Sequence, residues 1–200
     1  MKLFYATISP CARKVHVFAA EKGLGGRIEA ILCNPFDVSP ELKAANPLSK
    51  VPSLVLDDGD ALYDSPAICE YLDSLAPNSR LIPEEGAARW VVLRRHALAD
   101  GILDAAFSVV MERRRDDGEQ SPSWLERWTA AIGRSLDALE TEIGSFPANL
   151  NLAHIATGCA LAYLDFRLPD LEWRTGHPET AKWFEAFAER PSMKDTRPDR

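Results

Sequence analysis

Apolar residues fall in short runs over the first third of the chain and at helical spacing over the rest, so the change of period divides the sequence in two. Lys2 to Ala6 is a short aromatic and apolar run. It leads directly into Ser9-Pro10, a helix-start pair with Ser as N-cap and Pro at the first helical position. From Pro10 to about Glu21, Val15, Phe18 and Ala19 recur at helical spacing, and Gly23 with Gly25-Gly26 supplies the stop. Arg27 to Leu32 alternates polar and apolar as a strand does, which completes a βαβ unit with parallel strands. A short helix from Pro40 to Ala45 is broken by Asn46-Pro47. Two compact strands, Ser53 to Leu56 and Ala61 to Tyr63, then flank Asp57-Asp58-Gly59-Asp60, a hairpin turn. Ser65-Pro66 repeats the N-cap and proline signal and opens a helix to about Ala76, with Ile68, Cys69 and Leu72 on its inner face. The predicted order is β-α-β-α-β-β-α.

Pro77-Asn78 and the stretch to Pro83 read as a linker, and every periodic segment beyond it is helical. The spacing predicts helices near Glu85 to Arg115, Pro122 to Ile143, Asn151 to Arg167 and Pro178 to Glu189, the last ending before Arg190-Pro191. On the long helix Ile102, Leu103, Phe107 and Met111 read as core, while the acidic pair Asp100 and Asp104 reads as solvent-facing. In the helix that begins at Asn151, Ile155, Cys159, Tyr163 and Phe166 form a core stripe.

Composition narrows the class. The chain is 46% hydrophobic and 26% charged. It has no apolar run near the ~18 residues of a membrane helix, and it does not open on a signal-peptide pattern. The expectation is a soluble protein of the cytoplasm with no membrane partner. A net charge of -7, spread over both halves, excludes a nucleic-acid backbone as main partner, since phosphate contacts need clustered Lys and Arg. The one basic run, Arg113-Arg114-Arg115, meets Asp116-Asp117 at once and reads as a solvated helix end. Cys11, Cys33, Cys69 and Cys159 lack CxxC spacing and read as reduced thiols. His16, His96, His154 and His177 lack metal-ligand spacing, so no metal is expected.

The first-domain order is that of a thioredoxin-like domain. With an all-helical second domain beside it, the chain resembles the cytosolic glutathione transferases over essentially its whole length. Four segments carry the resemblance: Ser9-Pro10-Cys11-Ala12-Arg13-Lys14-Val15; Asn46-Pro47-Leu48-Ser49-Lys50-Val51-Pro52; Asp64-Ser65-Pro66-Ala67-Ile68 with Tyr71-Leu72; and Arg190-Pro191-Ser192. The Ser-Pro start followed by Arg-Lys-Val is similar to the serine-type classes, tau- or theta-like, among bacterial members.

The resemblance implies a glutathione-binding domain over residues 1–77. It also implies a helical domain over 84–200 that forms the electrophile pocket and dimer contacts. The Val51-Pro52 bond would be cis, offering the backbone of Val51 to the middle of glutathione as an added strand does. Ser65, at a helix N-terminus, would take the γ-glutamyl carboxylate, with Asp64 on the ammonium; the plainer role of Ser65 is a structural N-cap. Lys50 would pair with the glycyl carboxylate, or else be solvated surface. Ser9 would donate a hydrogen bond to the glutathione sulfur and stabilise the thiolate, its plainer role again being an N-cap. Cys11 reads as a packing or secondary pocket residue. A redox thiol is its rival role, and Tyr5 is a rival to Ser9. Phe107 and Met111, with Cys11, are candidates for the electrophile pocket. In the family a Ser or Thr with Asp three residues on commonly caps the helix here begun by Asn151. With His154 in the acid's place that cap is expected to be weakened, His154 being unable to do the acid's part.

The implied activity is transfer of glutathione sulfur to an apolar electrophile, a detoxification reaction, by a homodimer. Glutathione-dependent reduction or isomerisation, and a non-catalytic carrier or interaction module, are the alternatives.

Overall fold

The computed structural model describes residues 1–37 and 39–198. In its first unit the β-rich runs pair as one mixed sheet. Strand β1 (Lys2–Tyr5) lies parallel to β2 (Glu29–Leu32), from Lys2 opposite Glu29 to Tyr5 opposite Leu32. It lies antiparallel to β3 (Ser53–Val55), with Phe4 opposite Ser53, and β3 is antiparallel to β4 (Ala61–Leu62). The strand order is β2-β1-β3-β4, with helices α1 (Pro10–Glu21), α2 (Pro40–Ala45) and α3 (Ser65–Ser74) between and after the strands. This is the thioredoxin-like arrangement that the sequence predicts, with each strand a residue or two shorter at its ends.

Local chemistry sets the ends of α1. Ser9 is extended (φ -81, ψ 116) and its Oγ accepts the Ala12 N–H at 3.2 Å. At the other end Gly23 takes φ 69, and the N–H groups of Gly23 and Leu24 return to the carbonyls of Ala20 and Ala19. That pairing is a Schellman cap, and it needs the left-handed residue that glycine supplies without strain. The core beneath the sheet is built from Leu3, Val15, Phe18, Leu54, Ile68, Cys69 and Leu72, all fully buried.

A buried ion pair that sequence reasoning did not anticipate pins the stretch read as a linker. Lys22 Nζ meets Asp73 Oδ1 at 2.9 Å, the two side chains being 0% and 2% exposed. The same ammonium donates to the carbonyls of Ala76 and Ser79 at 2.8 and 2.7 Å. The Asp73 carboxylate accepts the N–H groups of Leu81 and Ile82 at 2.8 and 3.2 Å.

By contacts the chain divides into Met1–Glu84, joined by the segment that begins at Pro191, and Glu85–Arg190. The sequence places 84–200 in the helical domain and ends its last helix before Arg190-Pro191. Instead a further short helix, α8 (Pro191–Asp195 in chain order), forms and buries Met193 in the first unit, against α1. Asp199 and Arg200, also within that expected domain, lie outside the described residues.

The second unit holds α4 (Gly86–Glu112), α5 (Pro122–Glu142), α6 (Leu152–Arg167) and α7 (Pro178–Ala188). Helix α6 is buried on nearly every side and packs on α4 and α7. Its start overturns one expectation. Asn151 Oδ1 accepts the N–H groups of Ala153 and His154, and His154 Nδ1 faces the Asn151 N–H at 3.3 Å, so the imidazole does take the acid's part in a capping box. The carbonyl of Pro147, 3.0 Å from Nε2, can only accept, which puts the ring proton on Nε2 and leaves the Nδ1 lone pair for the cap. Two further differences concern α4. Phe107 is 45% exposed rather than core, and Asp100 lies 3.0 Å from His96 Nε2 rather than facing solvent alone.

Candidate functional site

The strand registers gather the candidate residues of the first unit at one end of the sheet. Strand β1 ends at Tyr5 and leads to Ser9. Because β3 is antiparallel to β1, its first residue Ser53, just after Val51-Pro52, lies beside Phe4. Strand β4 turns back against β3, with Leu62 opposite Leu54, and so delivers Asp64-Ser65 to that end as well. Cys33, whose N–H donates to the Tyr5 carbonyl at 2.9 Å, joins them from β2. Sequence reasoning gave Cys33 no place there, for only the register reveals it; burial raises its thiol pKa.

Ser9 is fixed through three atoms. Its N–H donates to the Ala6 carbonyl and its carbonyl accepts the Arg13 N–H, both at 3.0 Å, while Oγ accepts from Ala12. An oxygen that accepts in this way keeps its own proton free to donate, and Ser9 is partly exposed. The cap role and the donor role therefore coexist. Cys11, one residue into α1, is partly exposed. The Tyr5 ring packs edge-on to His16, centroids 4.8 Å apart, and burial lowers the His16 pKa.

The Val51-Pro52 peptide is cis. Among the described residues, neither the N–H nor the C=O of Val51 is taken up by another protein group. What shapes this turn is Asn46, only 1% exposed. Its Nδ2 donates to the Lys50 carbonyl at 3.1 Å and to Ser53 Oγ at 3.0 Å, and its Oδ1 accepts the Leu48 N–H at 2.9 Å. Ser53 Oγ in turn donates to the Lys50 carbonyl at 2.8 Å. Asn46 and Ser53 are supporting residues that the sequence reading passed over; the signal was a polar residue on each side of an X-Pro turn. Lys50 itself is exposed, and Pro52 is buried.

Helix α3 differs from expectation in its first turn. Asp64, extended at φ -95, occupies the N-cap position, its carbonyl accepting the Ile68 N–H at 3.1 Å, and Ser65 is the first helical residue. Asp64 caps through its backbone alone, which leaves its side chain exposed. Ser65 is 3% exposed. The Tyr63-Asp64 peptide is cis as well. The first amides of α1 and α3 thus stand at one end of the sheet, where their dipoles favour negative charge. Phe107 and Met111 belong to the second unit, four residues apart on one face of α4, the first exposed and the second half-buried. Among the described residues no cluster of His, Cys, Asp or Glu could hold a metal, and no helix is long and apolar enough to cross a membrane.

A thioredoxin-like domain with a cis-prolyl turn and two helix starts at one sheet end, followed by an all-helical domain, defines the architecture of the glutathione transferases. Comparison bears this out in both halves: residues 8–75 match the glutathione S-transferase N-terminal domain and residues 122–186 the C-terminal domain. The chain belongs to the glutathione S-transferase family. It is 36% identical over 201 residues to the GST-like protein YibF of Escherichia coli K12, covering 99% of this chain and 98% of that one. A glutathione transferase family member of Pseudomonas fluorescens Pf-5, solved with bound glutathione, is 42% identical over 100% of this chain and 99% of its own, with a TM-score of 0.94. The structure of that family member with S-(propanoic acid)-glutathione superposes with a TM-score of 0.92. A maleylacetoacetate isomerase of Pseudomonas aeruginosa is 30% identical over 72% of this chain and 70% of its own.

Proposed function

We propose that this protein is a serine-type glutathione transferase: it binds glutathione at the sheet end described above, holds its sulfur as thiolate beside Ser9, and lets that sulfur attack an apolar electrophile. The carrying observation is Ser9, whose Oγ accepts the Ala12 N–H and so keeps its single proton for an outside acceptor at the start of α1. The unpaired N–H and C=O of Val51 next to cis Pro52 support binding of a peptide backbone. Ser65, at the first amides of α3, is the γ-glutamyl carboxylate site, with Asp64 on the ammonium and Lys50 on the glycyl carboxylate. Phe107 and Met111 offer apolar surface in the second unit, and Cys11 a thiol in the first. In this reading the first unit binds glutathione, Glu85–Arg190 serves the electrophile and the dimer, and the enzyme works in the cytoplasm as a homodimer. The glutathione-bound relative at 42% identity supports the co-substrate.

A hydrogen bond to a charged sulfur is worth ~1.5 to 3 kcal/mol, and a pKa unit corresponds to ~1.4 kcal/mol. Ser9 therefore lowers the bound thiol by about one to two units. Calorimetry of glutathione binding, alongside turnover of an aryl halide, tests this in the native protein and Ser9→Ala. Binding without turnover of any electrophile would assign a carrier, and no binding would end the reading. Glutathione-dependent isomerisation is a second reading, favoured by the 30% identity to a maleylacetoacetate isomerase.

A further inference from the structure

Helix α8 returns to the first unit and fastens to α1 at two places. Arg13, a buried cation on α1, donates from Nη2 to the Met193 carbonyl at 2.8 Å and from Nε to Thr196 Oγ1 at 3.3 Å. Thr196 Oγ1 can accept because its own proton goes to the Ser192 carbonyl at 2.7 Å. Ser192 also donates to the carboxylate of Glu21, at the far end of α1. Two neighbouring residues of α8 thus reach points eight residues apart on α1, ~12 Å along its axis. Met193, whose carbonyl accepts from Arg13, is itself buried.

The near end of this brace is joined to the reacting group. The backbone N–H of Arg13 donates to the carbonyl of Ser9 at 3.0 Å, closing the first turn in which Ser9 Oγ holds the Ala12 N–H. Guanidinium and amide of one residue therefore tie the carbonyl end of α8 to the N-cap. Five donors in a rigid plane suit Arg to bridging a carbonyl and a hydroxyl at once, which an ammonium does less well.

We infer that Arg13, held by Met193 and Thr196, is a positioning residue for Ser9: the returning C-terminal segment sets the aim of the Ser9 hydroxyl toward the glutathione sulfur. This rests on the role proposed for Ser9. Removing a brace that only stabilised the fold would lower the melting temperature and leave the bound thiol unchanged. A brace that aims Ser9 moves the pKa of the bound thiol.

The test is the ultraviolet pH titration of thiolate in the glutathione complex, with the pH profile of kcat/KM, for the native protein, Ser9→Ala, Arg13→Met, Arg13→Lys and Thr196→Val. Arg13→Met is expected to raise the bound thiol pKa by about one unit and so to lower kcat/KM for the electrophile, at saturating glutathione, roughly tenfold at pH values below the native bound thiol's pKa, with recovery at pH values above the variant's. Arg13→Lys is expected to fall between Arg13→Met and native, and Thr196→Val, which keeps the arginine should Arg13→Met fail to fold, to shift the same way by less. A native thiol pKa in the folded Arg13 and Thr196 variants, with Ser9→Ala shifted, would overturn the inference and spare the role of Ser9. An unshifted Ser9→Ala would remove both.

Discussion

At Asn46 one side chain makes three hydrogen bonds while almost wholly buried, and all three shape the turn before Pro52. The sequence showed Asn46-Pro47 as a helix stop, and α2 does end there with Asn46 as its C-cap. The side chain's reach to Lys50 and Ser53 was invisible, because it depends on a turn that folds back over several residues. Replacement by alanine leaves the Leu48 N–H without its acceptor and the Lys50 carbonyl with Ser53 alone. Asn46→Ala is expected to destabilise the protein by about 2 kcal/mol in denaturant unfolding and to weaken glutathione binding in calorimetry, since the freed turn no longer presents Val51. Ser65 shows the reverse relation between sequence and structure. Its position at a helix start was legible, but which of two adjacent residues caps the helix was not, for that depends on the extended backbone of Asp64.

At the scale of elements, helical spacing and proline signals located seven of the helices, because a long apolar face against a core outweighs local detail. Helix α8 escaped, being five residues long and made by its contacts with α1. The cap of α6 escaped for a chemical reason: a neutral imidazole accepts a hydrogen bond as a carboxylate does, but only while unprotonated. Burial lowers the His154 pKa, and the charges of Arg95 and Arg190 add to this against the pull of the Pro147 carbonyl. Protonated Nδ1 would lose the Asn151 N–H and turn to Asn151 Oδ1, 3.0 Å away. Unfolded, His154 takes up its proton near pH 6.5; folded, it does so lower. The stability it contributes is thus complete above about pH 6.5 and is lost as the pH falls toward the folded value. His154→Gln keeps a capping-box side chain that does not titrate. Thermal unfolding from neutral to mildly acid pH is expected to show a shallower loss of stability in His154→Gln than in the native protein.

Across the whole molecule, the division into an α/β part and a helical part was legible from the change of hydrophobic period. The boundary was not, because the stretch after Pro77 belongs by its bonds to the first unit. Lys22 and Asp73 look in sequence like two surface charges, fifty-one residues apart. Only the packing of α1 on α3 buries them together and turns a linker into a fixed strap. Removing the ammonium leaves the Asp73 carboxylate buried with Arg80 Nη1, 3.9 Å from Oδ2, as its remaining counter-charge, at a cost toward the low end of about 3 to 5 kcal/mol. Lys22→Met is therefore expected to lose stability in that range by chemical denaturation.

The candidate site shows the same division between what one residue can signal and what the fold must supply. Ser9, Val51 and Ser65 were each legible as turn or helix-start residues, and the antiparallel registers of β1, β3 and β4 are what set them at one end of the sheet. The proton of Ser9 is the group on which the proposed chemistry turns. The deciding measurement is the pKa of the glutathione thiol in complex with the native protein and with Ser9→Ala. A native value one to two units below the free thiol, rising by about that amount in the variant, is the predicted result. Equal values in the two complexes would contradict it.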